Sequence, residues 1–128
     1  MPYSTYKDIM NIQPEGYTDI HVESIQTAEQ KQRIIQMNRI VVIDVYGDWC
    51  QPCVTIAPAF AQLSQHYNVM SRVFLCKENV DLALSPECTG VPCFYFYFDG
   101  KVVDTLTGGD MRGVEQRIVM LLERLGNN

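Results

Sequence analysis

The sequence predicts an α/β domain in which a central mixed β-sheet carries helices on both faces. Three observations predict it. Ile40–Tyr46 reads I-V-V-I-D-V-Y, a β-branched run with almost no alternation, which suits a central strand buried on both faces. An apolar stripe at helical spacing follows it, and a further aliphatic run follows that stripe, giving the β-α-β order of a parallel sheet. Near the C-terminus, C-F-Y-F-Y-F and K-V-V-D-T-L flank Asp99-Gly100. Asp-Gly between two strand-like runs is a strong hairpin signal, so antiparallel strands join the parallel ones.

The elements follow in order. Residues 1–18 are polar and turn-rich, with Pro2, Pro14 and Gly16 and no strong periodicity; they read as an N-terminal extension, with the domain itself over 19–128. Ile20–Val22 is expected to form a short strand. Thr27 stands three residues before Gln30, the spacing of a capping box, so a helix is expected from Ala28, carrying Ile34 and Met37 inward and stopping near Asn38. After Ile40–Tyr46, the loop Gly47-Asp48-Trp49 leads into Cys50. Pro52 then falls in the first turn of a helix, where its missing N–H costs nothing. That helix continues through Ile56, Phe60, Leu63 and Tyr67, and Pro58 within it predicts a kink. Val73–Cys76 reads as a strand and Asn79–Leu84 as a short helix ended by Ser85-Pro86. Cys93–Phe98 and Lys101–Leu106 are the two arms of the hairpin. Gly108-Gly109 makes a loop, and Asp110 caps a last helix bearing Val114, Ile118, Leu121 and Leu125, which closes at Gly126.

Bulk properties bound the function. The chain has 128 residues, 47% apolar and 20% charged, enough for one domain with its own core. A net charge of −5 and a pI near 4.8 argue against a nucleic-acid or anionic-membrane surface, which needs clustered Lys and Arg. No apolar run approaches the roughly 20 residues that span a bilayer. The N-terminal stretch lacks the apolar segment of a signal peptide. The expected compartment is the cytoplasm, where ordinary thiols stay reduced. Five cysteines cannot all pair within one chain, which argues against a structural disulfide framework.

The chemistry lies in D-W-C-Q-P-C-V, residues 48–54. Cys50 falls at the start of the predicted helix. The first N–H groups there lack internal partners, and the dipole favours negative charge, so a thiolate is stabilised. Cysteines at helix N-termini and in C-x-x-C motifs ionise well below the ordinary value of about 8.5. Cys53, one turn further on, can reach the same sulfur. The pair can therefore cycle between dithiol and disulfide. Two other readings compete. A structural zinc site needs four ligands, and no second C-x-x-C is present to complete one. Two inert core cysteines are the blander reading, disfavoured because Trp49, Pro52 and a β-α junction frame the pair. Asp44, inside a buried strand, is expected to have a raised pKa because burial penalises its charge. It is either a strand-end aspartate paired with a lysine or, the reading preferred here, a group that takes a proton from Cys53.

These residues resemble the thioredoxin family. W-C-Q-P-C stands where that family usually carries W-C-G-P-C. V-V-I-D-V-Y precedes it, I-A-P follows, G-V-P-C-F-Y-F-Y-F-D-G-K comes later, and L-T-G-G precedes the last helix. The likeness covers about residues 19–126, and the implied fold is the thioredoxin fold. The resemblance makes Cys50 the attacking cysteine, Cys53 the resolving one and Asp44 the buried acid. It places Pro92 at a cis-proline facing the pair, so that the backbone of Val91 can receive a substrate strand. Trp49, Gln51, Pro52, Gly108 and Gly109 would line the same groove. The implied activity is reduction of protein disulfides, with electrons from a thioredoxin-reductase-like partner. No nucleotide-binding signature, cofactor or metal is expected in this chain, and a monomer or weak homodimer is expected.

Several positions depart from the family. Gln51 replaces a glycine, Val54 a common basic residue, and Tyr46 an often-seen tryptophan. The Asp81–Pro92 stretch is short, so the third helix is expected to be abbreviated. A lysine that neighbours the buried aspartate in relatives maps either to Lys77 or to the position of Cys76. Cys93 replaces a common threonine and is expected near Cys50. It is an additional redox thiol, half of a dimerising disulfide, a cluster ligand or, preferably, a small spacer. Cys76 reads as core and Cys88 as exposed and oxidation-prone. The alternative to a reductase is an interaction module that uses the same groove and the N-terminal arm, with redox activity secondary.

Overall fold

The computed structural model describes residues 21–126; the proposed extension over residues 1–18 lies outside them. Ile40–Tyr46 forms strand β2 over the whole predicted run, and all of it but Tyr46 is buried. Around it the described residues form β1 (Ser24–Ile25), α1 (Ala28–Met37), α2 (Gln51–Tyr67), β3 (Val73–Asn79), β4 (Cys93–Phe98), β5 (Lys101–Thr107) and α3 (Met111–Gly126). The sheet order is β1-β3-β2-β4-β5. β3 runs parallel to both β1 and β2, while β4 is antiparallel to β2 and to β5. The mixed sheet is the one expected.

Strand parity sorts the core into two layers, because successive side chains of a strand point to opposite faces. Ile40, Val42, Phe94, Phe96 and Phe98 pack with Ile56, Phe60, Leu63 and Tyr67 of α2 and with Val114, Ile118 and Leu121 of α3. The rings of Phe60 and Phe94 lie 5.8 Å apart, and both side chains are almost fully buried. On the other face, Val41, Ile43, Val45, Cys76, Cys93, Tyr95 and Tyr97 pack with Ile25 and with Ile34 and Ile35 of α1. Tyr67 Oη donates to Glu115 Oε2 at 2.8 Å and so ties α2 to α3.

The helix ends follow local rules. Thr27 Oγ1 accepts from the Gln30 N–H at 3.1 Å. Gln30 Oε1 accepts in return from the Gln26 N–H at 2.7 Å, one residue earlier than in an ideal capping box. Asp110 Oδ1 accepts from the Gly113 N–H at 2.9 Å, which makes it the expected N-cap of α3. α2 runs unbroken through Pro58. At its C-terminal end, the Asn68 carboxamide makes two bonds to the Leu75 main chain, accepting at 2.7 Å and donating at 3.1 Å.

Four expectations need correction, the first being that α1 does not carry Met37 inward: that side chain is 73% exposed. The first strand lies at Ser24–Ile25, not at Ile20–Val22; Val22 is buried in the core without joining the sheet. β3 continues three residues past Cys76 to Asn79 because the charged pair Lys77-Glu78 finds partners inside the fold. Lys31 Nζ, only 12% exposed, lies 3.0 Å from Oε1 of the wholly buried Glu78. The same ammonium donates to Leu84 O at 2.7 Å and Ser85 Oγ at 2.8 Å. Finally, the helix expected over Asn79–Leu84 is one 3-10 turn, Val80–Leu82, stopped by Ala83 in the left-handed region at φ 56°.

Candidate functional site

Cys50 and Cys53 are joined by a disulfide, with their Cα atoms 5.3 Å apart. The backbone builds this. A turn closed by the Cys50 N–H and Gly47 O, at 3.1 Å, brings the chain out of β2, and the first helical bond runs from the Val54 N–H to Cys50 O. Cys50 is the N-cap of α2, and its Sγ accepts from the Cys53 N–H at 3.2 Å. Both sulfurs sit at the positive end of a long helix, where negative charge is favoured. Both cysteines are nearly buried, yet their neighbours Gln51, Pro52 and Val54 are exposed. Trp49 is 69% exposed, so it is no core aromatic. Gly47 makes room for it: a Cβ there would lie 2.9 Å from the indole Cε2.

Behind the pair lies a cleft of about 230 Å³, lined by Asp44, Tyr46, Asp48, Cys53, Ala57 and Lys77. Asp44 is buried, and its Oδ1 has no hydrogen-bond partner among the described residues. Burial pushes its pKa up to about 7, and the Lys77 ammonium pulls it partly back. The register pairs Asp44 with Lys77 across β2 and β3, so Lys77 and not Cys76 is the lysine beside the aspartate. Lys77 Nζ also sits 5.7 Å from the centre of the Tyr46 ring. Cys76 is core, its thiol donating to Val42 O at 3.8 Å. Asp48, absent from the candidate residues read in the sequence, joins the cleft and accepts from Asn79 Nδ2 at 3.3 Å. Its place in the D-W-C-Q-P-C run was the available signal.

Two loops close on the amino end of α2. The Val91–Pro92 peptide is cis, and Pro92 O accepts from the Gly108 N–H at 2.8 Å. Gly108 has φ +103°, and a Cβ on Gly109 would crowd Ile56 Cγ2 at 3.1 Å. The glycine pair thus ties the proline loop to the first turns of α2. Cys93 goes elsewhere. It is buried on the α1 face of the sheet with Val45 and Tyr95, and its thiol meets Cys88. Among the described residues no group of three His, Cys, Asp or Glu side chains could hold a metal ion, and no helix is long and apolar enough to cross a membrane.

A bridged C-x-x-C at a helix start, on a mixed sheet with a buried acid behind it, defines a thiol–disulfide oxidoreductase. Comparison with known proteins agrees. The Thioredoxin family model matches residues 21–119. A thioredoxin-like protein of Fusarium culmorum is 32% identical over 110 residues, 82% of this chain and 91% of that protein. Thioredoxin 1 of Plasmodium falciparum is 31% identical over 98 residues, 76% of this chain and 94% of the relative. Among solved structures, Plasmodium falciparum thioredoxin superposes with a TM-score of 0.70 at 29% identity, covering 77% of this chain and 98% of its own. Oxidised mitochondrial thioredoxin 3 of Saccharomyces cerevisiae gives 0.69 at 28% identity, covering 81% and 97%. The chain belongs to the thioredoxin family. Its fold is the thioredoxin fold, and it is a protein-disulfide reductase that works through the Cys50–Cys53 pair.

Proposed function

We propose that Cys50 is the attacking cysteine, Cys53 the resolving one and Asp44 the proton acceptor. The Cys50 thiolate attacks a substrate disulfide; one substrate sulfur leaves as thiolate and the other stays bound to Cys50. Cys53 then attacks the Cys50 sulfur, closes the bridge and releases the reduced substrate. Asp44 takes the Cys53 proton across the solvent-sized cleft, which has ample room for a bridging water. A carboxyl titrating near neutrality is well matched to that task. The observation that carries the reading is the Cys53 N–H bond to Cys50 Sγ at the start of α2, which favours charge on Cys50 and none on Cys53.

Substrate protein docks along Trp49, Gln51, Pro52, Gly108 and Gly109, and its backbone pairs with Val91 beside cis-Pro92. A thioredoxin-reductase-like partner returns the bridge to the dithiol, making the chain an electron carrier between that enzyme and protein disulfides. The three remaining cysteines are unbridged, which suits a reducing compartment such as the cytoplasm. Residues 1–18 act as an extension beside the 19–128 domain, and the working form is a monomer or weak homodimer.

The trapping experiment tests the roles. Cys53→Ser should hold substrates as mixed disulfides that dissolve with reductant, whereas Cys50→Ser should hold none. Equal capture by the two variants overturns the assignment.

A further inference from the structure

Cys88 and Cys93 flank Thr89-Gly90-Val91-Pro92, the segment that carries the cis peptide. The two residues differ in access. Cys93 is 4% exposed, and Cys88 is half-buried at the rim of the same apolar cluster. Cys88 packs against the cluster that holds Cys93, the two thiols interact electrostatically, and Cys88 donates to Gly90 O at 3.2 Å. The Thr107 and Tyr95 side chains also hydrogen-bond to the Cys93 sulfur. Two cysteines packed in one cluster, one reachable and one sheltered, are what a reversible bridge needs.

We propose that Cys88 and Cys93 form a second redox dithiol, which hydroperoxides oxidise to a disulfide that stiffens the Val91–Pro92 docking segment. The effect on docking rests on the groove described under Proposed function; the bridge itself does not. In the first step the Cys88 sulfur attacks a peroxide oxygen. The O–O bond breaks, Cys88 becomes a sulfenic acid, and water or an alcohol leaves. In the second step the Cys93 sulfur attacks the Cys88 sulfur, the S–O bond breaks, and water leaves with the Cys93 proton. The protein loses two electrons and the peroxide gains them. Burial above all, and then the bond to Cys88, hold the Cys93 thiol up at about 11. Cys93 is also sheltered from solvent while Cys88 is half-exposed, so Cys88 takes the first step and Cys93 is the resolving partner.

The test begins with the full chain carrying Cys50→Ser and Cys53→Ser, so that residues 88 and 93 are untouched and no substrate is involved. Reduced protein is exposed to hydrogen peroxide, alkylated and cut with trypsin. The fragment after Lys77 and up to Lys101 contains Cys88 and Cys93 and no other cysteine. It should be lighter by two hydrogens and resist alkylation until reductant is added. A fragment with two alkyl groups, or with a sulfinic Cys88 beside an alkylated Cys93, overturns the bridge. In a second arm, wild-type and Cys88→Ser proteins are both pre-oxidised, and thioredoxin reductase then regenerates the Cys50–Cys53 dithiol. The wild type should show a KM for a protein disulfide raised roughly threefold to tenfold over Cys88→Ser, with kcat little changed. Equal KM values with the bridge present overturn its effect on docking. Failure of the cysteine-trapping experiment would leave the fragment result unaffected, so the two readings fail separately.

Discussion

Replacing Asp44 by Asn should make the oxidised protein more stable relative to wild type as pH rises. The carboxyl titrates near 3.8 in the unfolded chain and at about 7 in the fold, because burial penalises its charge more than Lys77 relieves it. Below pH 3.8 both states are protonated and the group is neutral to folding. Between the two values the unfolded chain has released the proton and the folded one still holds it, so stability is lost as pH rises through that window. Above about pH 7 the loss is complete. At 1.36 kcal/mol per pKa unit, the interval amounts to about 4 kcal/mol. Asn also leaves an amide without a partner at the position of the orphaned Oδ1, a cost of about 1–3 kcal/mol that does not vary with pH. The slope, not the offset, therefore carries the test. Urea unfolding of both proteins, with the Cys50–Cys53 bridge intact, should show stability curves that diverge by about 4 kcal/mol between pH 4 and pH 8. Parallel curves would refute the raised pKa, and with it the case for Asp44 as a base.

Further outcomes follow from the core and its edges. Phe94→Ala should cost about 3–5 kcal/mol in urea unfolding, because the ring is wholly buried against Phe60. Lys31→Met leaves the buried Glu78 without its cation and should cost about 3–5 kcal/mol; adding Glu78→Leu should recover most of the loss. Gly108→Ala, at φ +103°, should cost about 1–3 kcal/mol and loosen the Pro92–Gly108 bond, raising KM more than it lowers kcat.

Much of this was legible in the residues, for physical reasons. β2 and β4 were readable to the residue because a short run of β-branched and aromatic residues with almost no alternation suits a sheet covered on both faces. The start of α2 was readable from Pro52 and the stripe through Tyr67. The cysteine pair and Asp44 could be placed because each sits at a fixed offset from those elements. What escaped depends on contacts distant in sequence. β1 is two residues long, too short for any periodicity. The extension of β3 through Lys77 and Glu78 rests on Asp44 and on Lys31, neither of which is adjacent in the chain. The position of Cys93 was readable and was overlooked: residues alternate across a strand, so a cysteine next to the α2-facing Phe94 must face α1.

The brevity of β1 has a consequence for solubility. β3 presents its outward main-chain groups at alternate residues, and so short a partner covers only its C-terminal part, where the Lys77 N–H reaches Glu23 O. At Leu75 the Asn68 carboxamide occupies both groups, and at Val73 the N–H is taken by Met70 O. A single amide thus imitates the strand that is missing and denies neighbouring molecules a template for cross-chain pairing.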